Sequence, residues 1–243
     1  MKSLIAANIK HRHTMLNKLL FICPAVTAIF AFLSSGIMLF QSIAYYWWYL
    51  FVMQGIIAIF CYSVIRADEI SGNSQIVYSL PVNLKKIRCA DTAVITLKFS
   101  ISSMLYMVLV YLIPFFLFPD YAIYSFGKLL IATVTIIATS LWQIPMCFIL
   151  IRFIGRFLTI GLNVGAGIIL ISAFGNTGLW ILFPHCWCAK AMEQILNIGS
   201  NGVIIENAAA FSSASVIAII LSITLFGLLT TFDAIVYERK TNK

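Results

Sequence analysis

With 243 residues, 62% of them hydrophobic and only 10% charged, the chain lacks the polar side chains that cover a soluble domain, where about a quarter of residues are charged. A net charge of +8 argues for nucleic acid only when it forms a basic face. Here the basic residues lie in short segments between apolar runs, which argues against a nucleic-acid partner and for helix orientation in a bilayer. The apolar runs occupy nearly all of 1–243, so the chain reads as one transmembrane domain.

The N-terminal segment is basic, and its His11 and His13 point apart on a helix because residues two positions apart do not share a face. About 20 apolar residues cross the hydrocarbon core as helix. Six stretches free of Asp, Glu, Lys and Arg reach that length: 19–40, 43–65, 99–118, 129–151, 157–183 and 207–232. They predict an all-α, polytopic membrane protein of six transmembrane helices. The first run is too long for a signal-peptide core and is followed by five more, so it reads as a retained helix. The last two exceed the bilayer thickness and tilt or shed their ends.

Tyr45, Tyr46, Trp47, Trp48 and Tyr49 open the second run, and Trp180 and Trp187 lie near the end of the fifth. Such rings favour the headgroup level. Between the second and third runs lies a large segment, 66–98. Within it Asn73 or Ser74 can cap a short helix that Pro81 ends, with Ile76, Val77 and Leu80 on one face. That helix is too short to span, and its apolar ridge suits a groove in a partner protein. A helix lying flat on the bilayer is the alternative. Lys85, Lys86 and Arg88 follow and anchor the chain to an anionic inner surface.

The fifth run contains Gly161-Leu-Asn-Val-Gly165, whose small residues allow close helix packing. Asn163 and Asn176 can bond across helices. His185, Cys186 and Cys188 form an H-C-x-C cluster without an evident fourth ligand, so no metal site is expected. Cys186 and Cys188 are too close in sequence to bridge each other readily. Fourteen of the sixteen Lys and Arg residues fall on the side of both termini, leaving Lys128 and Lys190 opposite. The positive-inside rule makes the majority side, with both termini, cytoplasmic.

No G-x-x-x-x-G-K-[ST], G-x-S-x-G or H-E-x-x-H occurs, so the sequence offers no P-loop and no familiar hydrolase motif. No catalytic residue is assigned. The six runs carry no ionisable Asp, Glu, Lys or Arg of the kind that relays protons in gradient-driven carriers.

Glu69, Gly72, Ser79-Leu80-Pro81 and Lys85-Lys86-x-Arg88, placed between the second and third runs, resemble the type-two ABC exporter permeases. Leu4 to Lys10 is similar to the interfacial helix that opens those proteins, and the outer stretch with Pro184 and Trp187 looks like their re-entrant element. The size and Trp-rich outer edges look most like the lantibiotic-immunity permeases. Two positions depart from the family pattern: Asn8 stands where an acidic residue is common, and Asp91 where a Lys is common.

The resemblance implies an intracellular coupling helix, with Glu69, Gly72, Ile76, Val77, Ser79, Leu80 and Pro81 engaging a cytoplasmic ABC ATPase dimer. ATP and Mg would be bound by that ATPase and not by this chain. A second permease subunit, identical or different, would complete the pathway in the plasma membrane. The implied cargo is an amphiphilic antimicrobial peptide, with Trp47, Trp48, Trp180 and Trp187 as a possible rim for it. Membrane anchoring explains those rings equally well. A membrane enzyme using His185, Cys186 or Glu193, and a non-transporting scaffold, are the rival readings.

Overall fold

In a computed structural model of the chain, residues 15–70, 83–205 and 213–239 are described. The expected interfacial helix at 4–10 and the coupling residues Gly72, Ile76, Val77, Ser79, Leu80 and Pro81 lie outside them. The described architecture is all-α. Among these residues the extended pairing is limited to one isolated bridge between Ile198 and Ile204.

Helix α1 covers Met15–Ser35 and stops at Gly36, whose φ of +63° is a left-handed conformation that glycine adopts without steric cost. Helix α2, Phe40–Trp47, runs through a π turn, Trp48–Val52, into α3, Met53–Ile70. Helix α4 is Leu84–Leu117, capped by the Asn83 side chain, which accepts from the Lys86 amide at 3.1 Å. Helices α5, Phe126–Ser140, and α6, Gln143–Ile154, form one broken run. Pro145 supplies the break, because its ring clashes with the carbonyl of the residue four positions earlier, Leu141. Gly155, at φ +81°, turns the chain into α7, Arg156–Phe174. A 3-10 turn, Gly178–Leu182, precedes α8, Pro184–Leu196, and α9 is Ser213–Arg239.

Six helical runs among the described residues are long and apolar enough to cross a membrane: Leu16–Ser35, Phe40–Ala67, Leu84–Leu117, Phe126–Ile154, Arg156–Phe174 and Ser213–Glu238. The largest differences from the sequence expectation fall at three boundaries. The third run starts at Leu84 and not at 99, because Lys85, Lys86, Arg88, Asp91 and Lys98 interrupt hydropathy without interrupting helix formation. The fifth ends at Phe174, where Gly175, Asn176 and Thr177 form a turn and the Thr177 hydroxyl accepts from the Leu179 amide. The sixth continues past 232 to Arg239, since Asp233 is buried with a partner.

The core centres on the α2–π–α3 run, where Tyr49, Met53, Ile57, Phe60 and Cys61 are fully buried. Helices α4, α6 and α7 pack around it, while α8 wedges between α5, α7 and α9. Large side chains such as Leu33, Phe116, Phe157, Ile169 and Leu228 face outward. Apolar exposure on this scale marks a surface made for lipid or protein and not for water.

Candidate functional site: two buried polar clusters

In so apolar a chain, buried polar groups are the informative ones, because each costs free energy unless it is paired. Two clusters among the described residues bring several of them together.

The first lies where the N-terminal part of α4 meets the C-terminal part of α9. Lys85 Nζ meets Glu238 Oε2 at 2.8 Å on the surface, and Arg88 Nε meets Asp233 Oδ2 at 2.6 Å in the interior. The pairs run in opposite sequence order, so α4 and α9 are antiparallel here. Arg88 Nη2 also reaches Asp233 Oδ1 at 3.4 Å, and the two side chains are 3% and 1% exposed. The guanidinium carbon stacks 3.4 Å from the centre of the Phe148 ring on α6 and 5.2 Å from that of Tyr237 on α9. Arg152 covers the same Tyr237 ring at 5.3 Å. Lys98 donates to Asn17 Oδ1, tying α4 to α1.

Arg88, expected at the headgroup level with Lys85 and Lys86, is thus turned into the bundle. A planar guanidinium can stack and pair at once, and this environment uses both properties. Sequence reasoning missed Asp233 because the charge-free run ends at 232. The available signal was that Asp233 directly follows one charge-free run while Arg88 lies in the charged stretch that precedes another. Glu69 is exposed at the end of α3.

The second cluster lies where α8 meets the central helices. In the π turn, carbonyls lose their usual partners. Gln54 Nε2 compensates, donating to Leu50 O at 2.9 Å and Tyr49 O at 3.4 Å. Asn163 Nδ2 on α7 donates to Gln54 O at 2.9 Å and to Gln143 Oε1 at 3.1 Å. His185 Nε2, in the first turn of α8, lies 3.2 Å from Asn163 Oδ1, and its ring stands edge-on to Trp142 at 4.9 Å. The Asn163 amide nitrogen already donates elsewhere, so the His185 nitrogen carries the proton in this contact. Burial pushes the His185 pKa down to about 4, so the ring is neutral near pH 7.

Close packing in this cluster falls on Gly167. A Cβ there would collide with the Gln54 carboxamide, whereas one at Gly161 or Gly165 would meet nothing within 4 Å. The Gly161–Gly165 face is therefore not used for packing within the chain. Gly167→Ala should destabilise the fold by about 1–3 kcal/mol, measured as earlier thermal loss of the monodisperse peak in detergent, while Gly161→Ala leaves it unchanged.

The H-C-x-C residues diverge. His185 meets Asn163, the Cys186 thiol donates to Leu170 O at 3.2 Å, and Cys188 bonds towards Thr139 and Ser140. Burial pushes the Cys186 thiol up to about 11 and the Cys188 thiol to about 12, the latter despite those bonds. Both thiols are therefore protonated near pH 7 and poor nucleophiles. Glu193 is paired with Lys190 at 2.7 Å. Among the described residues no group of three His, Cys, Asp or Glu side chains could hold a metal ion.

The aromatic residues expected at a rim also pack inward. Trp48 stacks on Tyr106 with centroids 4.1 Å apart, and Trp187 donates to Ile181 O at 2.9 Å. Trp48, Trp180 and Trp187 are buried; Trp47 is half-buried, edge-on to Phe30 and Phe51. Of the four expected rim residues, only Trp47 keeps a partly open ring. Compared with family models, curated proteins and solved structures, the chain matches none.

Proposed function

We propose that this chain is the permease subunit of an ATP-driven exporter in the plasma membrane, partnered by a cytoplasmic ABC ATPase dimer and a second permease subunit. The observation that carries the reading is α4. This 34-residue helix is capped at Asn83, directly after the connecting segment 71–82, and runs unbroken to Leu117. A non-spanning segment joined to one rigid helix is what a mechanical input from outside the membrane requires. The resemblance of Glu69, Gly72 and Ser79-Leu80-Pro81 to type-two ABC permeases supports the same assignment.

The finer reading is self-protection by expelling a cationic, amphiphilic peptide of the lantibiotic kind. Its support is the outer aromatic belt, with Trp47 as the accessible ring and cation–π attraction as the force. ATP and Mg belong to the ATPase. The enzyme alternative rests on His185, Cys186 and Glu193, each of which bonds to a neighbouring group, and it predicts activity by the isolated chain. The scaffold alternative differs in predicting no ATP-dependent movement of any substrate.

Replacing Val77 or Leu80 with Asp puts a charge on the apolar ridge. Membrane insertion should persist while co-purification of the ATPase is lost, read by pull-down from native membranes. Normal co-purification by both variants would count against the coupling role.

A further inference from the structure

We propose that the Arg88–Asp233 pair is the positioning element that makes α9 follow α4, and that it passes displacement from the inner segment to the short helix α8. The inference rests on the exporter reading above and adds the route of transmission.

The route consists of contacts between named groups. Helix α4 begins one residue after Asn83, so a push on the preceding segment moves Arg88 directly. The guanidinium is fixed on several sides: by Asp233 at 2.6 Å, by the Phe148 ring beneath it and by Tyr237 beside it. A buried two-contact ion pair holds helix register more firmly than an exposed one, which water and salt loosen. Lys85–Glu238, at 45% and 39% exposure, is such a loose rung. The buried pair is the stiff one.

At the other end of α9, the Ser215 amide and hydroxyl both donate to Gln194 Oε1 of α8, at 3.0 and 2.6 Å. Midway, Ser222 Oγ donates to Ala138 O of α5 at 2.9 Å. Helix α9 is thus held from α4 on the inner side and holds α8 on the outer side. Contiguity alone does not establish coupling; that requires an element whose position changes when the input changes. The test reads that position.

Spin labels are placed at Ile169→Cys on α7 and Ile220→Cys on α9, both exposed, in a chain carrying Cys89→Ser. The labelled chain is reconstituted with its ATPase. ATP should shift the 169–220 distance in the otherwise unchanged chain. In the double variant Arg88→Met with Asp233→Leu, the complex should still assemble and hydrolyse ATP, but the shift should be lost. The double variant removes both buried charges together, so it avoids the unpaired charge that would unfold a single variant. An equal shift in the double variant, or no shift in the unchanged chain despite ATP hydrolysis by the complex, overturns the inference and leaves the exporter reading standing. Failure of the unchanged chain to bind any ATPase overturns both.

Discussion

Replacing Asp233 with leucine should lower the stability of the folded chain by about 3–5 kcal/mol, and adding Arg88→Met should restore most of that loss. The single change leaves a guanidinium 3% exposed with its carboxylate removed. Phe148 and Tyr237 offer ring faces to the cation, a weaker substitute for a carboxylate. The double change removes both members of the pair and fills their space with apolar atoms. Lys85→Ala, which breaks only the exposed pair with Glu238, should cost less than about 1 kcal/mol. Unfolding midpoints in mild detergent with added SDS measure all three. A double variant as unstable as the single would show that the two side chains stabilise the fold through something other than each other.

The second large effect is on pH dependence and comes from His185. Its native pKa is held at about 4 by burial, against about 6.5 for the unfolded chain. At pH 7 both states are neutral and the group adds no slope. As the pH falls below the unfolded value, the unfolded chain takes up a proton that the native chain refuses. Stability therefore drops across the window from about 6.5 down to 4, by up to about 3 kcal/mol in total. Below pH 4 both states are protonated and the loss levels off. His185→Gln keeps an N–H that can donate to Asn163 and has no titration. Subtracting its stability profile from that of the unchanged chain cancels the carboxylates and isolates this term. A flat difference between pH 7 and 4 would mean the imidazole is not held dry against Asn163 and Trp142.

Hydropathy carried most of the architecture. All six candidate spans overlap their apolar runs, the first, second and fourth within five residues at each end, because a helix that must satisfy its own backbone needs little more than apolar length. The errors fall where charge and helix part company. Residues 84–98 read as loop because Lys85, Lys86, Arg88, Asp91 and Lys98 interrupt the apolar pattern, yet a helix accommodates all of them once Asn83 caps it. The stop at Phe174 was hidden inside an apolar run; a Gly-Asn-Thr turn ends a helix without changing hydropathy.

The candidate site was less legible. Pairing between Arg88 and Asp233 spans 145 residues, and no local pattern encodes such a distance. Asn163 could be read as a group that bonds across helices, but its partners could not: Gln54 is placed by a π turn and Gln143 by the break before Pro145. Trp48, Trp180 and Trp187 looked like rim residues because tryptophan favours interfaces. Neighbouring rings such as Tyr106 and Trp142 draw two of them inward instead.

The most direct measurement is affinity purification of the tagged, full-length chain from its own membrane, followed by reconstitution of whatever accompanies it. The exporter account predicts an ABC ATPase in fixed ratio to this chain, and ATP-dependent release of a cationic amphiphilic peptide from the vesicles. A chain that purifies without any ATPase and is fully active by itself would contradict it.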